Sequence, residues 1–94
     1  MELSERFIQQ LESEGFARVY DDSDPAGTTY PPHEHQGKVT LMITDGSITF
    51  TIAGKTTEYE AGDRIDIPPQ TEHSCEVGPE GLIYVVAEEI VGDA

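Results

Sequence analysis

Short segments in which apolar and polar residues alternate fill the chain from Val39 onward, and turn-forming residues separate them every 8–12 residues or so. The clearest segment is 47–52, where three large apolar residues alternate with Ser and Thr. Successive side chains of a strand point to opposite faces, so this pattern predicts strands with one buried face. The regular spacing is typical of an all-β sandwich or barrel.

The predicted strands are short, and residues such as Gly, Pro and Asp stand between them. We predict a hairpin at Asp45-Gly46 and a second turn at 78–81. The acidic stretch 21–27 is predicted to be a solvated loop, and it lacks the pattern of an EF-hand calcium loop. The strands predicted from these boundaries are 16–20, 39–44, 47–52, 55–59, 64–67, 73–77 and 82–87.

One helix is predicted before the strands, over residues 4–14. Ser4 is a candidate N-cap, and Gly15 stands where the helix would end. An apolar stripe runs along one face of this helix and consists of Leu3, Phe7, Ile8 and Leu11. The helix therefore covers either an edge of the barrel or a partner subunit, and residues 1–94 form a single domain.

The net charge and the cysteine content limit the binding partners and the cellular compartment that we expect. Nineteen Asp and Glu oppose five Lys and Arg, for a formal net charge of −14, which argues against binding to nucleic acid or to anionic membranes. We expect a cytoplasmic protein, because Cys75 is the single cysteine and the first residues resemble no signal peptide. The segment 82–87 is apolar on both faces, so we also expect a homodimer that covers the second face.

The three histidines are the candidate metal ligands. His33 and His35 can point to one face of a strand, and a barrel can bring His73 beside them. Three imidazoles suit a divalent ion of Fe, Ni, Zn, Mn or Cu. Cys75 would share the face of His73 and is either a fourth ligand, a redox-sensitive thiol or a buried filler.

The acidic and amide neighbours of these histidines fit the site less well. Glu34 has the opposite parity and is excluded as a ligand, whereas Gln36 stays a weak candidate because it begins a bend. Glu72 and Glu76 are interpreted as solvated carboxylates for the same reason of parity.

The spacing of these residues resembles the cupin family over about residues 27–88. Gly27 is followed by five residues and then by His33-Glu34-His35, as in the first cupin motif, which closes here at Gly46. Gly62, Pro68 and His73 match the second motif. The resemblance implies a double-stranded β-helix (jelly-roll) barrel, often dimeric, with a metal held inside by the motif histidines.

The chain departs from the cupin pattern at several positions. Val39 or Thr40 stands where the first motif has Glu, so the sequence resembles a three-His variant of the site. Gln70 and Val77 replace the Gly and Asn of the second motif. Three neutral ligands leave the full charge on a divalent ion, which strengthens it as a Lewis acid.

Three functions follow from this reading. The first is a metal-binding cupin that takes a small polar or anionic ligand, and the residues expected at the mouth are Tyr30, Lys38, Met42 and Tyr84. The second is a metal-dependent enzyme, either an iron-type dioxygenase or an isomerase or lyase on a small acid or sugar. The third is a sensory or interaction module that acts through another chain.

Overall fold

A computed structural model describes residues 2–91 as one helix and six strands that pair in an antiparallel sheet. The central pair is β3 with β6; β1 and β2 also pair with β6, and β4 and β5 with β3. This confirms the predicted all-β jelly-roll barrel with a short N-terminal helix. The elements are α1 (Leu3–Ser13), β1 (Arg18–Asp24), β2 (Thr29–His33), β3 (Val39–Ile52), β4 (Lys55–Glu60), β5 (Arg64–Ile67) and β6 (His73–Glu88).

The core lies inside the barrel and follows the predicted alternation. Ile43 is fully buried, and Ile48, Phe50 and Ile65 are each 2% exposed. Ile52 and Lys55 form the last pair of the β3–β4 ladder, and Ala53 and Gly54 both have positive φ in the turn between them. That conformation matches a two-residue hairpin, so the predicted break between strands 47–52 and 55–59 is confirmed.

The hairpin predicted at Asp45-Gly46 is wrong, because β3 continues through it. The first half of β3 pairs with residues 82–88 of β6 and the second half with residues 73–77. Between the Gly46–Leu82 and Ile48–Val77 pairs, β6 holds four residues where β3 holds one. The turn predicted at 78–81 is therefore a bulge within a long strand, and it bends both strands together.

Two glycines make this bend feasible. Gly46 has a φ of +84° and Gly81 a φ of +79°, a backbone conformation that residues with a side chain rarely adopt. A Cβ on Gly46 would collide with the carbonyl oxygen of Gly81. The glycine of the Asp-Gly pair therefore allows two strands to approach closely here. The same positive φ would also have suited a hairpin turn.

The first strand also differs from its prediction. Phe16 and Ala17 precede β1, while the acidic residues placed in a loop belong to the strand and pair with β6, as in the Asp22–Tyr84 and Asp24–Leu82 pairs. Composition favoured a turn, but pairing with a central strand outweighs that weak local preference.

Helix α1 covers the outer face of β6. Leu11 is fully buried in a cluster with Val85 and Ala87, and the side chains packed around them include Phe7 and Ile8. The helix begins at Leu3 after Glu2, which makes no side-chain capping hydrogen bond, so the Ser4 cap is wrong. Gly15 follows the helix with a φ of +92°, as its position predicted. The described helix is neither long enough nor apolar enough to cross a membrane.

The packing of α1 on β6 removes the sequence-based reason for expecting a dimer. The second apolar face of 82–87 is covered by α1 of the same chain, and Ile83 alone in that segment is exposed, at 48%. A homodimer stays a prediction, and static light scattering at micromolar concentration tests it. A mass near twice 10.3 kDa is the expected result, and a mass near that of one chain contradicts it.

An ion cluster fastens the end of α1 to the barrel. The Arg64 guanidinium donates two hydrogen bonds to Glu14, of 2.7 and 2.6 Å, and it also contacts Asp66. The buried hydroxyl of Thr40 donates to Asp66 at 2.7 Å. The hydrogen bonds from Arg64 lower the pKa of Glu14 from its ordinary 4.5 to about 2.

Replacing Glu14 with glutamine is expected to lower thermal stability at pH 7. The pKa of Glu14 is depressed in the folded state, so its stabilisation is complete above about pH 4.5 and is lost as the pH falls through about 2. Thermal unfolding followed by circular dichroism between pH 2 and 7 measures the effect, with Glu12→Gln on the same helix as the control. A difference from the wild type that does not shrink toward pH 2 contradicts this account.

Candidate metal centre

Three elements bring the histidines together. His33 ends β2, His35 follows in the next loop, and His73 begins β6. His33 and His73 are register partners in the β2–β6 ladder, so their side chains are neighbours across two strands. The long-range pairing that the sequence analysis required is present.

The three imidazole rings converge on one point. The ring centroids are 5.0 Å apart for His33 and His35, 4.3 Å for His33 and His73, and 5.2 Å for His35 and His73. Each ring offers a nitrogen, and these three ligand atoms lie within 4.8 Å of one another. Metal–nitrogen bonds of about 2.0–2.1 Å place two nitrogens on one ion at most about 4.2 Å apart, so coordination by all three rings would draw these nitrogens closer together.

Hydrogen bonds set the tautomer of two of the rings. Nδ1 of His33 lies 2.7 Å from the Pro31 carbonyl oxygen, and Nδ1 of His73 lies 3.0 Å from that of Thr71. A carbonyl only accepts, so each Nδ1 carries the proton and donates it. In the neutral form of either ring the lone pair is then on Nε2, which is the atom available to bind a metal.

The surroundings of the rings keep them oriented. His73 is only 3% exposed, and its ring stacks on Phe50 with centroids 6.1 Å apart and planes at 28°. Partial burial lowers the pKa of His35, and its neighbours His33 and His73 lower it further. A lowered pKa favours the neutral imidazole of His35, which is the form that binds a divalent transition metal.

Cys75 lines the same cavity but lies outside the cluster of ligand atoms. Burial raises the pKa of its thiol to about 11, and the negative charge of Asp24 contributes. A thiol with a raised pKa stays protonated, whereas metal binding and redox reactivity need the thiolate. The structure thus brings the three histidines together without the cysteine. The carboxylates of Glu34, Glu72 and Glu76 also lie outside the cluster, and Gln36 does not line this cavity.

A cavity of about 230 Å³ opens beside the three histidines. Tyr30 and Tyr84 line it as predicted, but Lys38 and Met42 do not. Lys38 lies near Asp66, at 3.8 Å, and Met42 packs on the cluster under α1. The alternation that turns Leu41 inward already places both residues on the outer face.

Four polar residues of the cavity were missed by the sequence analysis. They come from β1 and from the end of β6 and are Tyr20, Asp22, Asp24 and Glu88. Alternate residues of a strand share a face, so the first three would have been grouped had 20–24 been read as a strand. Because 21–27 was predicted to be a loop, this alternation was not considered.

Tyrosine hydroxyls hold two of these carboxylates. The hydroxyls of Tyr30 and Tyr84 donate to the two oxygens of Asp24, at 2.8 and 2.9 Å, and Tyr20 donates to Glu88 at 3.1 Å. Burial together with the bond to Asp24 raises the pKa of Tyr30 to about 12, and it raises that of Tyr84 further. All three phenols stay protonated and act as hydrogen-bond donors.

The antiparallel strands and the three clustered histidines together define a β-barrel with a candidate metal site. A profile of the cupin domain matches residues 22–86 of the sequence. The chain therefore belongs to the cupin family, and the three histidines close together could hold a metal ion.

Solved structures agree with this family. A cupin protein from Bacteroides fragilis is 25% identical with a TM-score of 0.66, and the match covers 81% of this chain and 67% of that one. A cupin-like protein from Thermotoga maritima is 27% identical with a TM-score of 0.70, over 83% and 61% of the two chains. A double-stranded β-helix protein from Klebsiella pneumoniae is 26% identical with a TM-score of 0.66, over 76% and 64%. Comparison with curated proteins gives no match.

Proposed function

We propose that this cupin binds one divalent metal ion through His33, His35 and His73 and takes a small polar molecule in the adjoining cavity. The observation that carries the proposal is the convergence of three rings, two of which have their Nδ1 protons committed to backbone carbonyls. The metal is one of Fe, Ni, Zn, Mn and Cu, and imidazole suits Fe, Ni, Zn and Cu better than it suits Mn. When bound, it would supply a Lewis acid with free coordination positions.

Metal analysis of protein that has not passed over a nickel column tests this proposal. We expect about one equivalent of a single metal per chain, as three His ligands hold in known sites. If the protein holds none, it is dialysed against each of the five ions in turn and analysed again. Absence of a stoichiometric metal after all five dialyses contradicts the proposal.

The cavity also favours a second candidate function, that of a metal-dependent enzyme. Asp24 lies in the cavity wall, and two phenols are hydrogen-bonded to its carboxylate. A carboxylate beside protonated phenols can accept and return a proton. Oxygen consumption by the iron-loaded protein on thiols and small acids distinguishes an oxygenase from a binding protein that shows no turnover.

A further inference from the structure

The wall of the cavity beside the histidines carries more negative than positive charge. Asp22, Asp24 and Glu88 line it, and no Lys or Arg does so within residues 2–91. Arg18 lies 3.6 Å from Glu88 and above the ring of Tyr20, so it offsets that carboxylate. In the described part of the chain, neither Asp22 nor Asp24 forms an ion pair. A purely anionic ligand would meet repulsion here.

The wall is also aromatic and held in place. The tyrosine–aspartate wall, as we call it, consists of Asp22, Asp24, Tyr30 and Tyr84. Both oxygens of Asp24 accept hydrogen bonds from the two phenols, and Tyr84 also approaches Asp22 at 3.5 Å. Aromatic rings combined with carboxylates attract ammonium and quaternary ammonium groups.

A second feature of the same cavity points to a ligand independently of these acids. His73 is 97% buried and lines the cavity, and its Nδ1 is bonded to Thr71. No fully buried side-chain nitrogen or oxygen within residues 2–91 lacks a hydrogen-bond partner, so Nε2 of His73, which has none, is open to the cavity that the ring lines. The histidine end of the cavity therefore presents a free nitrogen donor to a metal, and a bound metal would in turn attract an anionic or oxygen-bearing group.

We propose that the ligand is a small zwitterion, whose cationic end contacts the tyrosine–aspartate wall and whose carboxylate is directed to the metal at the histidines. This inference rests on the proposed function, because the metal provides the positive pole. The opposite charges at the two ends set the orientation of the ligand. The same charges favour a zwitterion over a simple anion or a simple cation, because each of these matches only one end of the cavity.

A matched pair of probes tests the inference. Trimethylglycine and 3,3-dimethylbutanoate have the same shape and the same carboxylate, but only the first has a cationic centre. Isothermal titration calorimetry on the metal-loaded full chain should show trimethylglycine binding about tenfold more tightly or better. Asp24→Asn should reduce this preference to within about threefold while leaving the metal content unchanged.

Two further variants serve as a replacement and as a control for Asp24→Asn. Asp22→Asn should also reduce the preference, and it stands in if Asp24→Asn fails to fold by circular dichroism. Asp21→Asn, an exposed residue of the same strand that does not line the cavity, should leave the preference unchanged. Equal affinity for the two probes, or no binding of trimethylglycine, in protein with one metal overturns this inference alone. Failure to hold any metal overturns both this inference and the proposed function.

Discussion

Replacing His33 with alanine is expected to abolish stoichiometric metal binding. The substitution removes one of three nitrogen donors and leaves two, which are too few to hold the ion tightly. Loss of an outer-sphere partner alone costs about 10–100-fold in metal affinity, so loss of a ligand should exceed about 100-fold. His73→Ala should act in the same way. Metal content after dialysis and competition with a chelator of known affinity measure the change.

Glu34→Ala is the matched control for this prediction. Glu34 lies between His33 and His35 in sequence but is exposed and outside the ligand cluster. Circular dichroism of each variant separates loss of metal from loss of fold, which matters for His73 because its ring is buried against Phe50. Full retention of metal by a folded His33→Ala or His73→Ala variant would falsify the assignment of the site.

The second large effect is expected at the helix that covers β6. Leu11→Ala should lower the free energy of unfolding by about 3 kcal/mol, because it opens a cavity at a fully buried position. A domain of this size has only about 5–15 kcal/mol in total, so the loss is a large fraction. Urea unfolding followed by circular dichroism gives the midpoints and the free energies.

Leu3→Ala serves as the comparison, since Leu3 lies on the same helix and is 42% exposed. Its expected cost is below about 0.5 kcal/mol, the usual range for surface substitutions. Similar losses for the two variants would mean that α1 is not packed on Val85 and Ala87 in solution. In that case a partner subunit would again be the simplest cover for this face of β6.

Much of the candidate site could be predicted before any coordinates. The His-x-His pair and a third histidine at a strand start, in the spacing of the cupin motifs, indicated a metal site. The alternation in 39–52 indicated which side chains turn inward, and Ile43, Ile48 and Phe50 are all buried. Both signals depend on local geometry, since a strand repeats every two residues wherever it lies in the fold.

The tyrosine–aspartate wall could not be found in the same way. Its members come from β1, β2 and β6, and Asp22 and Asp24 join the cavity only because their backbone pairs with β6. By composition they belong to a loop. The bulge at 78–81 has a similar consequence: His73, Cys75 and Val77 turn inward before it, whereas Leu82, Tyr84 and Val86 do so after it.

The sequence alone was enough to predict a barrel of alternating strands, a covering helix and three histidines with the spacing of one metal site. Each of these features depends on a local repeat or on a short spacing between residues. The tertiary structure alone decided whether Asp45-Gly46 forms a turn or lies within a long strand, which surface α1 covers and which charges face the histidines. Those outcomes depend on pairing between residues far apart in the chain. The free energy of such pairing exceeds the local preference of any short segment.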